Sequence, residues 1–146
     1  MGAYRIYHME TMVEGLRDFI TTYKIKTRVV DKKSYLVLYK CVRKNFGSLW
    51  HIGDKNVHDV DAYRPGTIVK CTSWNVNRDE DCGSGLHVAT LGFALLYNQF
   101  VPMIEVLVKP KDVVCVPKYC AKIRCKQLRV ARVVSTCEIT KLLMEK

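Results

Sequence analysis

Asp81-Cys82-Gly83-Ser84-Gly85-Leu86-His87-Val88-Ala89-Thr90 sets two glycines, a cysteine and a histidine around a short apolar run. Glycine frees the backbone for positive φ or for close packing. The apolar residues that follow predict a short strand or bend over 85–90. Thr90 predicts the N-cap of a helix whose apolar residues are Leu91, Phe93, Ala94, Leu95, Leu96 and Tyr97. That helix is apolar on most sides, so it is expected to be buried. The stretch reads as a tight bend that sets a strand against a buried helix.

Downstream, Pro102 precedes a strand over 103–108, and Pro110 breaks it. A strand over 112–116 stops at Pro117. Basic, alternating strands are expected over 121–124 and 128–134, then a terminal helix over 139–144. Upstream lies a polar loop, 72–81, that holds Trp74, and before it a strand over 67–71. Arg64-Pro65-Gly66 signals a turn. A short strand is expected over 49–52. Strands over 25–30 and 35–42 flank a turn at Asp31–Ser34 and read as a hairpin. Thr11-x-x-Glu14 is a capping box ahead of Met9, Met12, Val13, Leu16, Phe19 and Ile20, which predicts an amphipathic helix running to Tyr23. About seven strands and two or three helices, without βαβ alternation, predict an α+β fold. One domain over 1–146 with a curved, mainly antiparallel sheet is the expectation.

Length and composition bound the function. A chain of 146 residues suits a single domain, and an apolar fraction of 49% supplies a core. No run approaches the ~20 apolar residues of a membrane-spanning helix. The first residues carry no apolar signal block, so a cytosolic setting is expected. Seven cysteines are an odd number, and none forms a Cys-x-x-Cys pair, which favours buried free thiols over a disulfide scaffold. Cys82 and His87, joined by His51 or His58, form the candidate metal set. Structural zinc sites use tighter paired spacing, so no metal is expected.

The net charge of +10 is unevenly spread. From Lys109 to Arg132, eight basic residues face Asp112 alone. Such a field attracts phosphates or an acidic partner, unless it is a solvated face guarding a sheet edge. His87 is the candidate phosphate contact or general acid/base, against a histidine that only holds the loop shape. The bend Gly83-Ser84-Gly85 can turn amides toward an anion. Trp74 can stack on a ring, with Trp50 and Tyr63 beside it. The candidate ligand-binding set is therefore Tyr39, Lys40, Trp74, Gly83, Ser84, Gly85, Lys122, Arg124 and Arg129. Glu105, alone in an apolar strand, is either a paired structural carboxylate or a catalytic acid. The stripe Met9, Met12, Leu16, Phe19, Ile20 is either core or an interface to a second copy or to a partner protein.

Cys82 to Thr90, the run Val106-Leu107-Val108-Lys109-Pro110-Lys111-Asp112-Val113-Val114-Cys115-Val116-Pro117, Lys122-Ile123-Arg124 and Leu128 to Arg132 together resemble a domain family of tailed phages and large DNA viruses. The same kind of domain occurs in the phage rapid-lysis B protein. The resemblance covers about 35–135 and leaves residues 1–34 outside it. It implies a viral accessory protein in the host cytoplasm, with virion association as the alternative and a host or viral protein as a candidate partner, without implying a reaction. A weaker resemblance is to the ADP-ribosyltransferase core. Tyr39-Lys40, Thr72-Ser73, Gly85-Leu86-His87-Val88 and Glu105 follow the order of that family's motifs, although Lys40 stands where the family carries arginine or histidine. This likeness implies Ser73, His87 and Glu105 as catalytic residues and nicotinamide adenine dinucleotide (NAD) as cofactor. Three function classes follow: a non-catalytic binding module for an anionic ligand, nucleic acid or host component; an ADP-ribosyltransferase-like enzyme; and an assembly subunit.

Overall fold

The computed structural model describes residues 12–49, 60–97 and 101–145. Eight strands form one open sheet: β1 (Thr27–Val30), β2 (Lys33–Cys41), β3 (Ile68–Lys70), β4 (Leu86–Ala89), β5 (Met103–Val108), β6 (Val113–Cys115), β7 (Lys122–Cys125) and β8 (Gln127–Val134). Their order is β3-β8-β5-β2-β4-β7-β6, with β1 also paired to β2, and each of these pairings is antiparallel. The helices are α1 (Leu16–Thr22), α2 (Leu91–Ala94), which runs on as a 3-10 turn over Leu95–Tyr97, and α3 (Thr136–Met144). The fold is α+β, as the sequence predicts.

Chain continuity dictates that the sheet curls. β7 ends at Cys125 and β8 begins at Gln127, so Lys126 alone joins them. Their adjoining ends can be no more than about 7 Å apart. Yet β4, β2 and β5 lie between them in the strand order. A flat sheet would hold them about 19 Å apart. The sheet must bend round until β7 meets β8 at a corner.

That curl gives the sheet two apolar faces. Leu36, Leu38, Val42, Val88, Ile104, Val106, Ile123, Leu128 and Val130 fill the inner one, with Leu16 and Phe19 of α1 packed into it. Val37, Tyr39, Cys41, Ala89, Met103, Leu107 and Val134 form the outer one, covered by Ala94 of α2 and Ile139 of α3. Side chains alternate along a strand, so β2 and β5 feed both cores in turn. β5 is buried at every position for that reason.

The hairpin turn at Asp31-Lys32 has φ of 50° and 64°, the left-handed pair that matches the twist of a two-residue hairpin. Ser135 and Glu138 form a reciprocal capping box at the start of α3. Two expectations need correction. The first helix begins at Leu16, because Gly15 sits at φ 88° and a Cβ there would meet the Arg78 guanidinium at 2.4 Å. Its proposed cap, Thr11, lies outside the described residues, as do Met9, Trp50, His51 and His58. Met12, Leu16, Phe19 and Ile20 belong to or pack against the inner core, so that stripe is occupied within the chain. The helix after Thr90 is capped as expected, with Thr90 Oγ1 accepting from Phe93 N at 3.1 Å. It is short, and Leu96 and Tyr97 are 71% and 42% exposed, so it is a surface element rather than a buried one.

Candidate functional site

β2 changes partner along one edge, and the site lies where it does so. Residues Lys33–Leu36 pair with β1, whereas β4 meets β2 at the single couple Tyr39↔Ala89. Beyond that couple the two strands part. The His87 carbonyl accepts from Lys40 Nζ at 2.8 Å. A cleft of about 330 Å³ opens here, lined by Tyr39, Lys40, Tyr63, Gly83, Gly85, His87, Phe93, Tyr97 and Lys122, with Cys41, Cys82 and Ala89 among the rest. Its walls come from both sheet faces because it opens between strands.

Lys40 alternates with Leu38 and Val42, both fully buried in the inner core. Burial drives its pKa down from 10.5 to about 8, and the Lys122 cation adds to the effect. The ammonium, still mostly protonated at neutral pH, has the His87 carbonyl and the Tyr63 ring, whose centroid is 5.1 Å away, as neighbours. No aspartate or glutamate lines the cleft among the described residues. Among those residues the ammonium meets no carboxylate counter-charge in the cleft.

His87 Nε2 lies 2.7 Å from the Gly83 carbonyl oxygen. A carbonyl only accepts, so Nε2 carries the proton. Burial pushes the His87 pKa down to about 4, and Lys122, Lys40 and Arg124 push the same way against the opposing Gly83 bond. The ring is neutral at pH 7, and its Nδ1 is a bare acceptor. That atom is buried and has no partner.

The bend positions this ring. Gly83 and Gly85 have φ of 140° and 129°. A Cβ at Gly83 would come within 2.8 Å of Asn75 Nδ2, and one at Gly85 within 3.4 Å of Arg124 Cβ. Conformation requires glycine at both positions, and packing requires it at Gly83 as well. Arg124 is fully buried and ties the loop beneath them. Its guanidinium donates to the carbonyls of Asn75, Asn77, Glu80 and Cys82 at 2.7–3.2 Å and to Cys115 Sγ at 2.9 Å.

Six expected residues thus converge on the cleft: Tyr39, Lys40, Gly83, Gly85, His87 and Lys122. The others do not. Arg124 spends its donors on the loop and is a structural residue. Arg129 lies on β8, beside Ile68 and Leu107, away from the cleft. Ser84 is exposed, and its carbonyl accepts from Asn75 N at 2.8 Å. Trp74 lies outside the cleft beside Lys126, whose Nζ is 5.9 Å from its ring centroid.

The arrangement expected of an ADP-ribosyltransferase is not assembled. Glu105 pairs across the sheet with Tyr39, but its carboxylate is buried between Arg28 (2.5 Å) and Arg132 (3.3 Å). Arg132 also pairs with Glu138 of α3. This four-charge network locks β1, β5, β8 and α3 together outside the cleft. Ser73 is exposed on the loop and does not line the cleft either. The proposed triad of Ser73, His87 and Glu105 therefore shares no pocket.

Several basic residues between Lys109 and Arg132 are already engaged: Lys109 lies over Tyr35, Lys118 pairs with Asp79, and Arg132 pairs with two carboxylates. Among the described residues no three His, Cys, Asp or Glu side chains gather as a metal site. All seven cysteines are free thiols. No helix among the described residues is long and apolar enough to cross a membrane.

Sequence reasoning missed Phe93 and Tyr97 as cleft residues. Their spacing of four on a helix was visible, and their rings pack at 5.8 Å between centroids. Their apolar surroundings read as core instead.

No curated protein and no solved structure matches the chain significantly. The family described as Bacteriophage T4 protein rIIB matches residues 11–138. That match takes in α1 and the first hairpin as well as the bend and the later strands, and it brings no support for an ADP-ribosyltransferase. The chain belongs to the bacteriophage T4 protein rIIB family and is a viral accessory protein.

Proposed function

We propose that this protein is a non-catalytic binding module, working in the host cell, whose ligand is a small anion seated in the β2/β4 cleft. One observation carries this reading: Lys40 holds its ammonium in an apolar strand, at a cost in desolvation, beside a cleft that no carboxylate lines among the described residues. Lys122 adds a second cation at the same wall. A bound phosphate or carboxylate would supply a counter-charge that the described lining residues do not. Nucleic acid is a weaker candidate, because a polyanion needs a continuous basic track. Within Lys109 to Arg132, Lys118 and Arg132 are paired with carboxylates and Arg124 is buried on loop carbonyls, which interrupts such a track.

Titration of the 15N-labelled chain with inorganic phosphate and phenyl phosphate tests the reading. Amide shifts are expected at Gly83, Gly85, His87 and Ala89, and Lys40→Met should abolish them. Shifts centred instead on Lys33 and Lys109, or no response to either anion at millimolar concentration, would overturn it.

A further inference from the structure

The register across three strands builds one wall of the cleft. Tyr39 of β2 pairs with Ala89 of β4, and Ala89 pairs in turn with Lys122 of β7. Residues directly opposite one another on paired strands share a face, so an aromatic ring, a methyl group and an ammonium stand in a row. Two strand spacings put the backbones of Tyr39 and Lys122 about 10 Å apart. The small Ala89 between them leaves the row hollow in the middle. All three residues line the cleft.

The surface helix α2 packs against β2 and β4 and brings more aromatic surface to this hollow. Phe93 and Tyr97 line the cleft, with ring centroids 5.8 Å apart and planes tilted by 49°. Tyr63 adds a fourth ring from the loop before β3. Four of the sixteen described lining residues are aromatic, against 10% of the whole chain, so aromatic surface is concentrated here. Tyr97 keeps 42% of its surface open to solvent, so packing within the chain does not use it up. Rings gain from tilted or offset contact with other rings beyond what apolar contact alone supplies. The volume, about 330 Å³, is at the small end of ligand pockets, which suits one ring with its substituent.

We infer that the cleft takes an anionic group carried on a single aromatic ring, an aryl phosphate or aryl carboxylate, with the ring between Tyr39 and the Phe93–Tyr97 pair and the charge at Lys122 and Lys40. This rests on the binding-module reading and names its ligand class. The two cations set the charge, and the rings select the body that carries it. A bare inorganic anion uses only the cationic half of the site, and an aliphatic anion forgoes the ring contacts.

The experiment compares matched pairs by calorimetry on the full chain: phenyl phosphate with cyclohexyl phosphate, and benzoate with cyclohexanecarboxylate. The members of a pair share their anionic group and differ in whether the ring is aromatic. In at least one pair the aryl member should bind about tenfold tighter than its saturated counterpart, the effect of one or two ring–ring contacts. That pair also names the anionic group. Tyr97→Leu should narrow the ratio, and Tyr97→Phe, which keeps the ring, should preserve it. A readout on the unaltered chain accompanies these variants: the ring protons of the bound aryl anion should show nuclear Overhauser contacts to Phe93 and Tyr97. If the saturated member binds as tightly as the aryl member in both pairs, if Tyr97→Leu leaves the ratio unchanged, or if those contacts are missing, the aromatic inference falls, and Lys40-dependent phosphate binding still upholds the anion module. If no anion binds at the cleft, both fall.

Discussion

Replacing Lys40 by methionine should make the protein more stable while removing its anion site. The ammonium is held with a pKa of about 8 instead of 10.5. That difference corresponds to about 3 kcal/mol that the folded state gives up at neutral pH to keep the charge buried. Methionine fills a similar volume without needing a partner. It forfeits the bond from Nζ to the His87 carbonyl, worth about 1 kcal/mol. The net expectation is a gain of about 2 kcal/mol, or an increase in Tm of roughly 5–8 °C for a chain of this size. The pH dependence gives a second readout. Below pH 8 both states of the wild type hold the proton, and the cost is complete. Between pH 8 and 10.5 the unfolded chain still binds a proton that the folded one has released, so wild-type stability rises with pH and the methionine advantage shrinks. Urea unfolding followed by circular dichroism at pH 7 and pH 10 measures both effects. A methionine variant less stable than wild type at pH 7, or a gap that does not narrow at pH 10, would refute the reasoning that Lys40 is a strained, functional cation.

Further outcomes follow from the same structure. Arg124→Met should cost about 3–5 kcal/mol, because four loop carbonyls lose a shared donor, and Trp74 fluorescence should report a loosened loop; a loss below about 1 kcal/mol would remove Arg124 as the loop organiser. Glu105→Gln should destabilise by about 1–3 kcal/mol, moderated because the Arg28 and Arg132 side chains are 42% and 39% exposed to water. Phosphate affinity should be unchanged in that variant, and a loss of binding would bring Glu105 back to the site. His87 has its pKa lowered from 6.5 to about 4, so the unfolded chain takes up a proton across that window and the folded one does not; stability should fall by up to about 3 kcal/mol as pH drops from 6.5 to 4, and His87→Gln should flatten that slope. Gly85→Ala should cost about 1–3 kcal/mol through its φ of 129°, read as a lower urea midpoint.

Periodicity and punctuation were enough to locate the strands and the helix caps. The alternation in 35–42 and 103–108, the prolines at 102, 110 and 117, and the cap at Thr90 are local signals, and local sterics and hydrogen bonding decide them. His87, Lys40, Tyr39 and the two glycines of the bend stood out for a similar reason: each is an unusual residue for its local pattern. Local pattern does not say which strands become neighbours. Lys126 joins two strands that three others separate, so the sheet must curl, and only the folded pairing shows that Lys118, Arg124 and Arg132 of the basic run are already engaged. Long-range pairing likewise makes Arg124 a buried brace and Glu105 the centre of an ion network, because their partners are 42–49 and 27–77 residues away. The cleft itself exists because β4 touches β2 at one couple and then leaves it. The sequence alone determined the strands, the caps and the odd residues within them; only the tertiary structure, through nonlocal strand pairing and the burial it imposes, decided which of those residues face one another.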